Sequence, residues 1–436
     1  MTHWKRRAAA LLGAVVLLTA GGLPAVTVPV AAAPQASCSV SVSHASSTTS
    51  LLSTDSSVPA GVESTPPSDT AKPEPSMSSP SITAGSGNCI DEFSLPTGSS
   101  PGSIILGPDG NLWFLLSSCR TCHDVGGNDV GRILSHAPST VTLFPIPTPD
   151  SGAGDLTVGP DGNIWFVEQG SVYYEADGSP GKIGRILAYA PYTITEFETP
   201  NPNSRPSGIA VGPDGALWFG EYWQPNLGGG GNAIGRIWPF PPYRMSEYPA
   251  PAAGDAPVNV VAGPDHTVWF TEVWGNKIAS IETDRNHRIT EFSIPTAPVL
   301  APGFPATSFP WDLTRDSDGN IWFAERQGNN IGRMSVRGDH RLTEFALPTA
   351  DSWPYGITAA HDHIWFTEFL NNKIAKIDDD GRVSEFDIPA ASSGPLDLAA
   401  GPDRSIWFVE LNGGKIGRLE TRPCQPWLGQ LEDCDR

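Results

Sequence analysis

Short apolar runs alternate with tight turns along most of the chain, in a pattern that recurs seven times. In one unit the run Gly208-Ile209-Ala210-Val211 is followed by Gly212-Pro213-Asp214-Gly215, where Pro presets φ and Gly accepts a positive φ. A second apolar run contains Trp218 and Phe219, a third reads Ile-Gly-Arg-Ile, and a fourth alternates apolar and polar residues before a proline. Each unit therefore predicts four short β-strands.

The second predicted strand of every unit contains a Trp-Phe pair. Successive pairs are 52, 53, 51, 53, 43 and 42 residues apart, as expected for repeated propeller blades. Because neighbouring side chains of a strand point to opposite faces, two large apolar residues in succession need a sheet covered on both faces. Stacked blades provide that cover, so we predict an all-β, seven-bladed β-propeller of four-stranded blades. The pairs begin at Trp113, Trp165, Trp218, Trp269, Trp322, Trp365 and Trp407.

The first and last units predict how the ring closes. The fourth-strand pattern also occurs seven times, but its first copy, at residues 90–96, precedes every Trp-Phe pair. The last unit, at residues 395–420, contains three strands and lacks a fourth. We predict that the N-terminal strand completes the last blade, which removes an open sheet edge.

The residues before the propeller are typical of an exported chain. Lys5, Arg6 and Arg7 precede an apolar stretch and then small residues and prolines, which predicts a secretory signal peptide over residues 1–36. The alternative is an uncleaved membrane anchor. Residues 37–88, rich in Ser, Thr and Pro, predict a disordered linker. The propeller is expected over residues 89–421, a tail over residues 422–436, and the protein in the extracellular medium.

Charge narrows the class of partner. With 27 Lys and Arg against 47 Asp and Glu, the net charge is −20, which disfavours nucleic acid because an anionic surface repels phosphate. We expect a monomer that binds a small molecule or a carbohydrate, without nucleic acid and without membrane contact once the signal is cleaved.

Six cysteines in an exported chain indicate disulfides. If the strand at residues 90–96 lies beside the last strand of the final unit, Cys89 and Cys424 meet just beyond the two strand ends. The alternative pairs Cys424 with Cys434 and Cys89 with Cys38. Cys119 and Cys122, followed by His123, match a c-type haem motif. A loop disulfide is preferred to haem there, because no helical segment is predicted to enclose a porphyrin.

Acidic residues recur where the second strand ends. If the first strands line the channel, these positions share one rim with the starts of the first strands. A ring of carboxylates there could hold Mg²⁺ or Ca²⁺ through oxygen ligands. The alternative is a structural role, in hydrogen bonds to backbone or to an Arg of the third strand. Asp155, Asn259, Asp312 and Asp397, early in the first strands, are further oxygen donors or side chains bonded to their own backbone. The candidate metal ligands are Glu168, Glu221, Glu272, Glu325, Glu368 and Glu410.

Aromatic residues are concentrated at the same predicted rim. Exposed aromatic patches mark binding surfaces, and flat rings suit stacking on sugars or cyclic ligands. The alternative is that these rings plug the channel. The candidate ligand-binding residues are Tyr222, Trp223, Trp274, Trp311, Trp353, Tyr355 and Phe369.

The phrase from Pro206 to Gly215, followed by Trp218-Phe219 and Ile234-Gly235-Arg236-Ile237, resembles the virginiamycin B (streptogramin B) lyase family. The resemblance runs through all seven units. It implies a seven-bladed propeller and, for the founding enzymes, a Mg²⁺-assisted elimination that opens a cyclic depsipeptide antibiotic. It also implies a catalytic His directly after the Pro that opens a first strand, supported by Glu residues, which Glu368 and Glu410 match.

The chain departs from the family at that His. Because a base must reach the proton it removes, its absence opposes lyase activity, and His123 is the one His that could share the rim. We weigh a binding module for a sugar, peptide or cyclic ligand against a metal-dependent lyase or hydrolase of a cyclic ester. An enzyme would be a carbon–oxygen lyase of the streptogramin B lyase type. The matching positions are Gly102, Gly154, Ser207, Val258, Trp311, Tyr355 and Leu396.

Overall fold

Seven antiparallel β-sheets stand as blades around a central channel. A computed structural model describes residues 26–29, 40–44, 46–50, 90–116, 128–170, 180–222, 231–298 and 306–421. The first strands of neighbouring blades contact one another around the whole ring, including blade 7 with blade 1. The prediction of an all-β, seven-bladed propeller is confirmed.

Every blade is a meander that runs from an inner first strand to an outer fourth strand. Blade 1 contains Pro101–Leu106, Leu112–Leu116, Asp129–Leu134 and Ala137–Pro145; blade 2 contains Ala153–Val158, Ile164–Glu168, Lys182–Ile186 and Ile194–Glu198; blade 3 contains Pro206–Val211, Leu217–Glu221, Ala233–Ile237 and Met245–Pro249; blade 4 contains Pro257–Ala262, Thr267–Glu272, Lys277–Glu282 and Ile289–Ser293. Blade 5 contains Pro310–Arg315, Ile321–Glu325, Asn330–Met334 and Leu342–Ala346; blade 6 contains Pro354–Ala360, His363–Glu368, Lys373–Ile377 and Arg382–Asp387; blade 7 contains Pro395–Ala400, Ile406–Glu410, Lys415–Leu419 and Ile90–Ser94.

The N-terminal strand closes the ring as predicted. Ile90–Ser94 pairs antiparallel with Lys415–Leu419, so that Ile90 lies opposite Leu419. Phe93 stacks on Trp407 with ring centroids 5.7 Å apart, and the Lys415 ammonium lies 3.1 Å from a Glu92 carboxylate oxygen. Blade 7 is therefore built from both ends of the propeller.

Three short strands precede the propeller and pair with outer blade edges. Val26–Pro29 pairs with the fourth strand of blade 1, Val40–His44 with that of blade 6 and Ser46–Ser50 with that of blade 5. The last two lie in the segment for which the sequence predicted no fold, and the first in the predicted signal peptide. The boundaries of those two segments stay predictions. Among the described residues no helix is long and apolar enough to span a membrane.

The Trp-Phe pairs fill the seven interfaces between blades. Trp218 packs in the cluster between blades 3 and 4, which also contains Phe270 of blade 4. Phe219, the next residue, packs in the cluster between blades 2 and 3 with Trp165. The same arrangement, with the Trp of one blade packed against the Phe of the next, recurs around the ring. It includes Trp407 of blade 7, which packs with Phe114 of blade 1. Alternation along the strand thus places each ring of a pair in a different interface, as the sequence predicted.

The turn and the third strand hold the Trp from outside. In blade 3 the Trp218 Nε1–H donates to the Asp214 carboxylate, 3.0 Å away. The Arg236 guanidinium lies over the Trp218 ring and donates to the same carboxylate at 2.9 Å. The Asp of the Gly-Pro-Asp motif and the Arg of the Ile-Gly-Arg-Ile motif therefore recur together because both contact the same Trp.

Candidate functional site

The start of the first strand and the end of the second meet at one rim of the channel. Pro310 lies opposite Glu325, and the corresponding Pro and Glu are paired in blades 3, 4, 6 and 7 as well. Near this rim the pairing of the first and second strands shifts register in every blade. Such a bulge redirects side chains. It affects the positions directly after the opening residue, where the resemblance places the family's His.

Aromatic rings from blades 3 to 6 form one connected surface at this rim, which we call the aromatic rim. Trp311 contacts Tyr222 at 6.4 Å, Phe309 at 5.8 Å and Tyr355 at 5.2 Å between ring centroids. The cluster continues through further ring pairs at 5.1–6.5 Å. All its members are partly exposed. The aromatic rim consists of Tyr222, Trp274, Phe309, Trp311, Trp353, Tyr355 and Phe369.

Two of these rings are held by a strained backbone. Phe309 and Trp353 each precede the Pro that opens a first strand, and their φ values are 59° and 52°. Bulky residues rarely adopt this left-handed conformation. At the matching position before the first strand, blade 7 uses Gly394, with φ 64°. The conformation recurs at this position in blades 2 and 4, where Gly152 and Ala256 have φ values of 63° and 57°, so it belongs to the entry into the first strand.

Arg326, which follows the last residue of the second strand of blade 5, lies among these rings. Its guanidinium carbon is 4.4 Å from the ring centroid of Trp353, 5.1 Å from Tyr355, 5.6 Å from Phe309 and 5.7 Å from Trp311. Burial lowers the pKa of the Arg326 guanidinium, which nevertheless stays protonated at neutral pH. The rim therefore combines flat apolar surface with the positive charge of Arg326.

Below the rim, three aspartates face one another across the channel. Asp155, Asp312 and Asp397 each accept the N–H of the following residue and one N–H from the first strand of the next blade. Burial raises the pKa of all three, and for Asp155 the nearby Asp397 carboxylate contributes to a value of about 7. Backbone bonding, one of the two alternatives that the sequence left open, is thus found for these three, whereas the Asn259 amide donates to the Asp312 carboxylate at 3.1 Å. The three carboxylates join neighbouring blades.

The six strand-two glutamates lie inside the blades rather than around the mouth. Each is at most 1% exposed. In blade 2, Glu168 lies near the Glu196 carboxylate and the Lys182 ammonium, which is 3.0 Å from Glu196. Burial is the largest cause that raises the pKa of Glu168, and Glu196 adds to it. The sequence placed these carboxylates around the channel mouth; the structure corrects this, because their side chains turn into separate clusters beside the third and fourth strands.

These clusters resemble ion-paired networks more than divalent-metal sites. Asp255, Glu272 and Glu291 bring carboxylate oxygens within 4.8 Å of one another. The Lys277 ammonium lies 3.1 Å from Asp255, 3.1 Å from Glu291 and 4.0 Å from Glu272. A lysine therefore supplies the positive charge at the position where a cation would bind. Lys373 and Lys415 lie in the clusters of Glu368 and Glu410. With a lysine already in place, the clusters in blades 2, 4, 6 and 7 do not fit a divalent cation. Glu221 and Glu325 instead face Ala233 and Asn330 of the third strand, and metal binding by the six glutamates stays a prediction.

Several predicted site residues lie outside the described residues: Trp223, His123, Cys89, Cys119, Cys122 and Cys424. The other six predicted aromatic residues lie together at the rim. The sequence pattern did not single out Arg326 or Phe309. Both nevertheless occupy recurring positions, directly after a strand-two Glu and directly before a strand-one Pro. Aromatic residues at the same positions in other blades, Tyr222 and Phe369 after a Glu and Trp353 before a Pro, could have pointed to them.

Comparisons with known proteins identify the family. The sequence profile described as "Virginiamycin B lyase family" matches residues 169–304 and 299–424. The chain belongs to the virginiamycin B lyase family. A virginiamycin B lyase of Nocardia farcinica (strain IFM 10152) is 28% identical over 232 residues, 53% of this chain and 68% of the relative.

Solved structures of family members superpose on the propeller. A streptogramin B lyase structure is 30% identical, with a TM-score of 0.63, and covers 76% of this chain and 97% of its own. A catalytically inactive His-to-Ala variant of the Staphylococcus aureus virginiamycin B lyase, solved with quinupristin, is 32% identical, with a TM-score of 0.62, and covers 76% and 98%.

Proposed function

We propose that this secreted family member is a ligand-binding module that holds a sugar, peptide or cyclic ligand on the aromatic rim. The observation that carries the proposal is the contact between Trp311 and Tyr355, 5.2 Å apart between ring centroids. Both occupy positions at which the family resemblance places a His. An imidazole there would serve as a base, whereas an indole and a phenol offer stacking surface.

The electrostatics of the rim support binding rather than proton abstraction. Burial raises the pKa of the Tyr355 hydroxyl above its ordinary value, so it stays protonated at neutral pH and does not act as a base. Among the described residues, no His belongs to the aromatic rim; His266 and His361, for example, lie in turns between first and second strands, at the opposite end of the blades.

Quinupristin is the first probe, since a family relative has been solved with it. We expect no ring opening by mass spectrometry, with or without Mg²⁺, and saturable binding by calorimetry. Trp311→Ala should weaken binding by up to about tenfold, because stacking on an aromatic ring contributes about 0.5–1.5 kcal/mol. Trp238→Ala is the matched control, since Trp238 is an exposed Trp outside the aromatic rim, at the end of the third strand of blade 3.

The second candidate function is a metal-dependent lyase, favoured by the 30% identity to a streptogramin B lyase structure. Ring opening of quinupristin that EDTA abolishes would establish it and refute the binding-only proposal. Binding that Trp311→Ala and Trp238→Ala affect equally would refute the aromatic rim as the site.

A further inference from the structure

Arg326 differs from the other arginines that lie on aromatic rings. Among the described residues, six guanidinium groups lie over ring faces, and five of them have a carboxylate oxygen within 4.0 Å. Arg326 has no carboxylate oxygen within 4.0 Å in the part of the chain that the structure describes. The five pairs are Arg132–Asp109, Arg185–Asp161, Arg236–Asp214, Arg333–Asp379 and Arg418–Asp91, with N–O distances of 3.5, 3.8, 2.9, 3.7 and 2.5 Å.

The surroundings of Arg326 make an unpaired charge costly. Its Nε is buried and has no hydrogen-bond partner among the described residues. Four aromatic faces surround the guanidinium, and cation–π attraction to each offsets only part of the lost hydration. An anion supplied by a ligand would therefore complete the contacts that the described residues leave open at Arg326.

The shape and charge of the site select the class of anion. A guanidinium matches a carboxylate with two parallel hydrogen bonds in one plane. The flanking rings of Trp311 and Trp353 favour a flat group next to that carboxylate. The channel below contains Asp312 and Asp397, and the chain carries a net charge of −20, so a polyanion would be repelled. A singly charged ligand fits this field best.

We propose that Arg326 binds the carboxylate of a planar aromatic ligand whose ring stacks on the aromatic rim. This inference rests on the proposed binding function and names the chemistry of the ligand. Arg326 is then the residue that determines specificity, since it distinguishes an acid from its neutral isostere, while the aromatic rim binds both.

The test compares 2-naphthoate with 2-naphthamide, which has the same shape without the charge, by calorimetry on the full chain. We expect 2-naphthoate to bind about tenfold more tightly, which corresponds to about 1.4 kcal/mol. Arg326→Gln should abolish this preference by weakening naphthoate alone, and Arg326→Lys should restore part of it. Arg333→Gln is the matched control, because that arginine also lies on an aromatic ring but already has a carboxylate partner.

Several outcomes would overturn the inference. Equal affinity of the wild-type protein for both probes, an unchanged preference in Arg326→Gln, or the absence of binding by either probe would each refute it. Equal binding that Trp311→Ala removes would refute the role of Arg326 and leave the binding function standing. If neither probe binds, the quinupristin comparison of Trp311→Ala with Trp238→Ala decides the binding function separately. A binding loss in Arg333→Gln as large as in Arg326→Gln would point to a general structural effect.

Discussion

At the residue scale, the recurrent glutamates are the clearest case of one residue type in different electrostatic settings. In blades 2, 4, 6 and 7 a third-strand Lys lies in the cluster of the strand-two Glu. In blade 3 the residue opposite Glu221 is Ala233, and the nearby Glu247 carboxylate carries a like charge. Neither oxygen of Glu221 has a hydrogen-bond partner among the described residues. Burial, and then Glu247, raises the pKa of Glu221 to about 8.

The raised pKa makes stability depend on pH in a defined direction. An unfolded Glu has a pKa of about 4.3, so the folded protein holds this proton over a range in which the unfolded chain has lost it. The contribution of Glu221 to stability is fully present below about pH 4.3 and is lost as the pH rises through about 8. One pKa unit corresponds to about 1.4 kcal/mol, so Glu221→Gln, a neutral isostere, should raise the free energy of unfolding by up to ~5 kcal/mol at pH 8 and by only about 1 kcal/mol at pH 5. Denaturant titrations at the two pH values measure this.

The control for this prediction is Glu196→Gln in blade 2. Glu196 accepts hydrogen bonds from Thr148 and pairs with Lys182 at 3.0 Å. Removing its charge leaves a buried ammonium without its partner, so we expect a loss of about 1–3 kcal/mol at neutral pH. Equal destabilisation by Glu221→Gln at both pH values would contradict the assignment of a neutral Glu221.

At the element scale, the strand that closes the ring is taken from the other end of the chain. Ile90–Ser94 provides the fourth strand of blade 7 and covers the edge of Lys415–Leu419. Phe93, which is 4% exposed, packs in the cluster that joins blade 7 to blade 1. The strand patterns in the sequence predicted this element, because one extra fourth strand precedes the first unit and the last unit lacks its fourth strand.

Truncation tests this closure. A chain that begins at Cys89 lacks the three strands on the edges of blades 1, 5 and 6 but keeps the closing strand, so it is the reference for this test. A chain that begins at Leu95 loses the strand and exposes a sheet edge, so we expect a melting temperature lower by ~5 °C or more and aggregation. Calorimetry and size-exclusion chromatography compare the two. Indistinguishable melting of both chains would show that the strand does not hold the ring.

Bulges near the rim are the element-scale feature that the sequence did not show. The register shift between Pro310 and Leu313 changes which side of the strand Trp311 and Asp312 occupy. A shift of one residue moves side chains to the opposite face of the sheet. The apolar–polar alternation that predicted the core could therefore not predict which side chains lie at the rim. Trp311 joins the aromatic cluster, while Asp312 accepts the N–H of Ile357 in blade 6 at 2.9 Å.

At the scale of the whole molecule, the ring brings the two ends of the propeller together. Ile90 lies opposite Leu419, and Cys89 directly precedes Ile90 in the sequence. A bridge between Cys89 and Cys424, which is the preferred sequence prediction, would close a loop of more than 300 residues. Such a loop contributes up to ~5 kcal/mol in the chain-entropy description of disulfides.

Peptide mapping without reduction tests the bridge. We expect a linked pair of peptides that contain Cys89 and Cys424, and a lower unfolding temperature after reduction. Cys424→Ser should lower stability as reduction does, whereas Cys434→Ser should leave it unchanged. A peptide in which Cys424 is linked to Cys434 would contradict the prediction.

The number of blades, the order of strands and the closure of the ring could all be predicted from the amino-acid sequence. These follow from local periodicity and turn chemistry, which repeat within each unit of about 42–53 residues. Tertiary structure decided which charges share a space. Lys277 meets Asp255 and Glu291, and Arg326 meets rings from blades 5 and 6. Such neighbours come from separate strands and loops, and bulges change the face of the sheet on which a side chain lies. A repeat pattern therefore predicts the fold but not which functional groups meet at the rim.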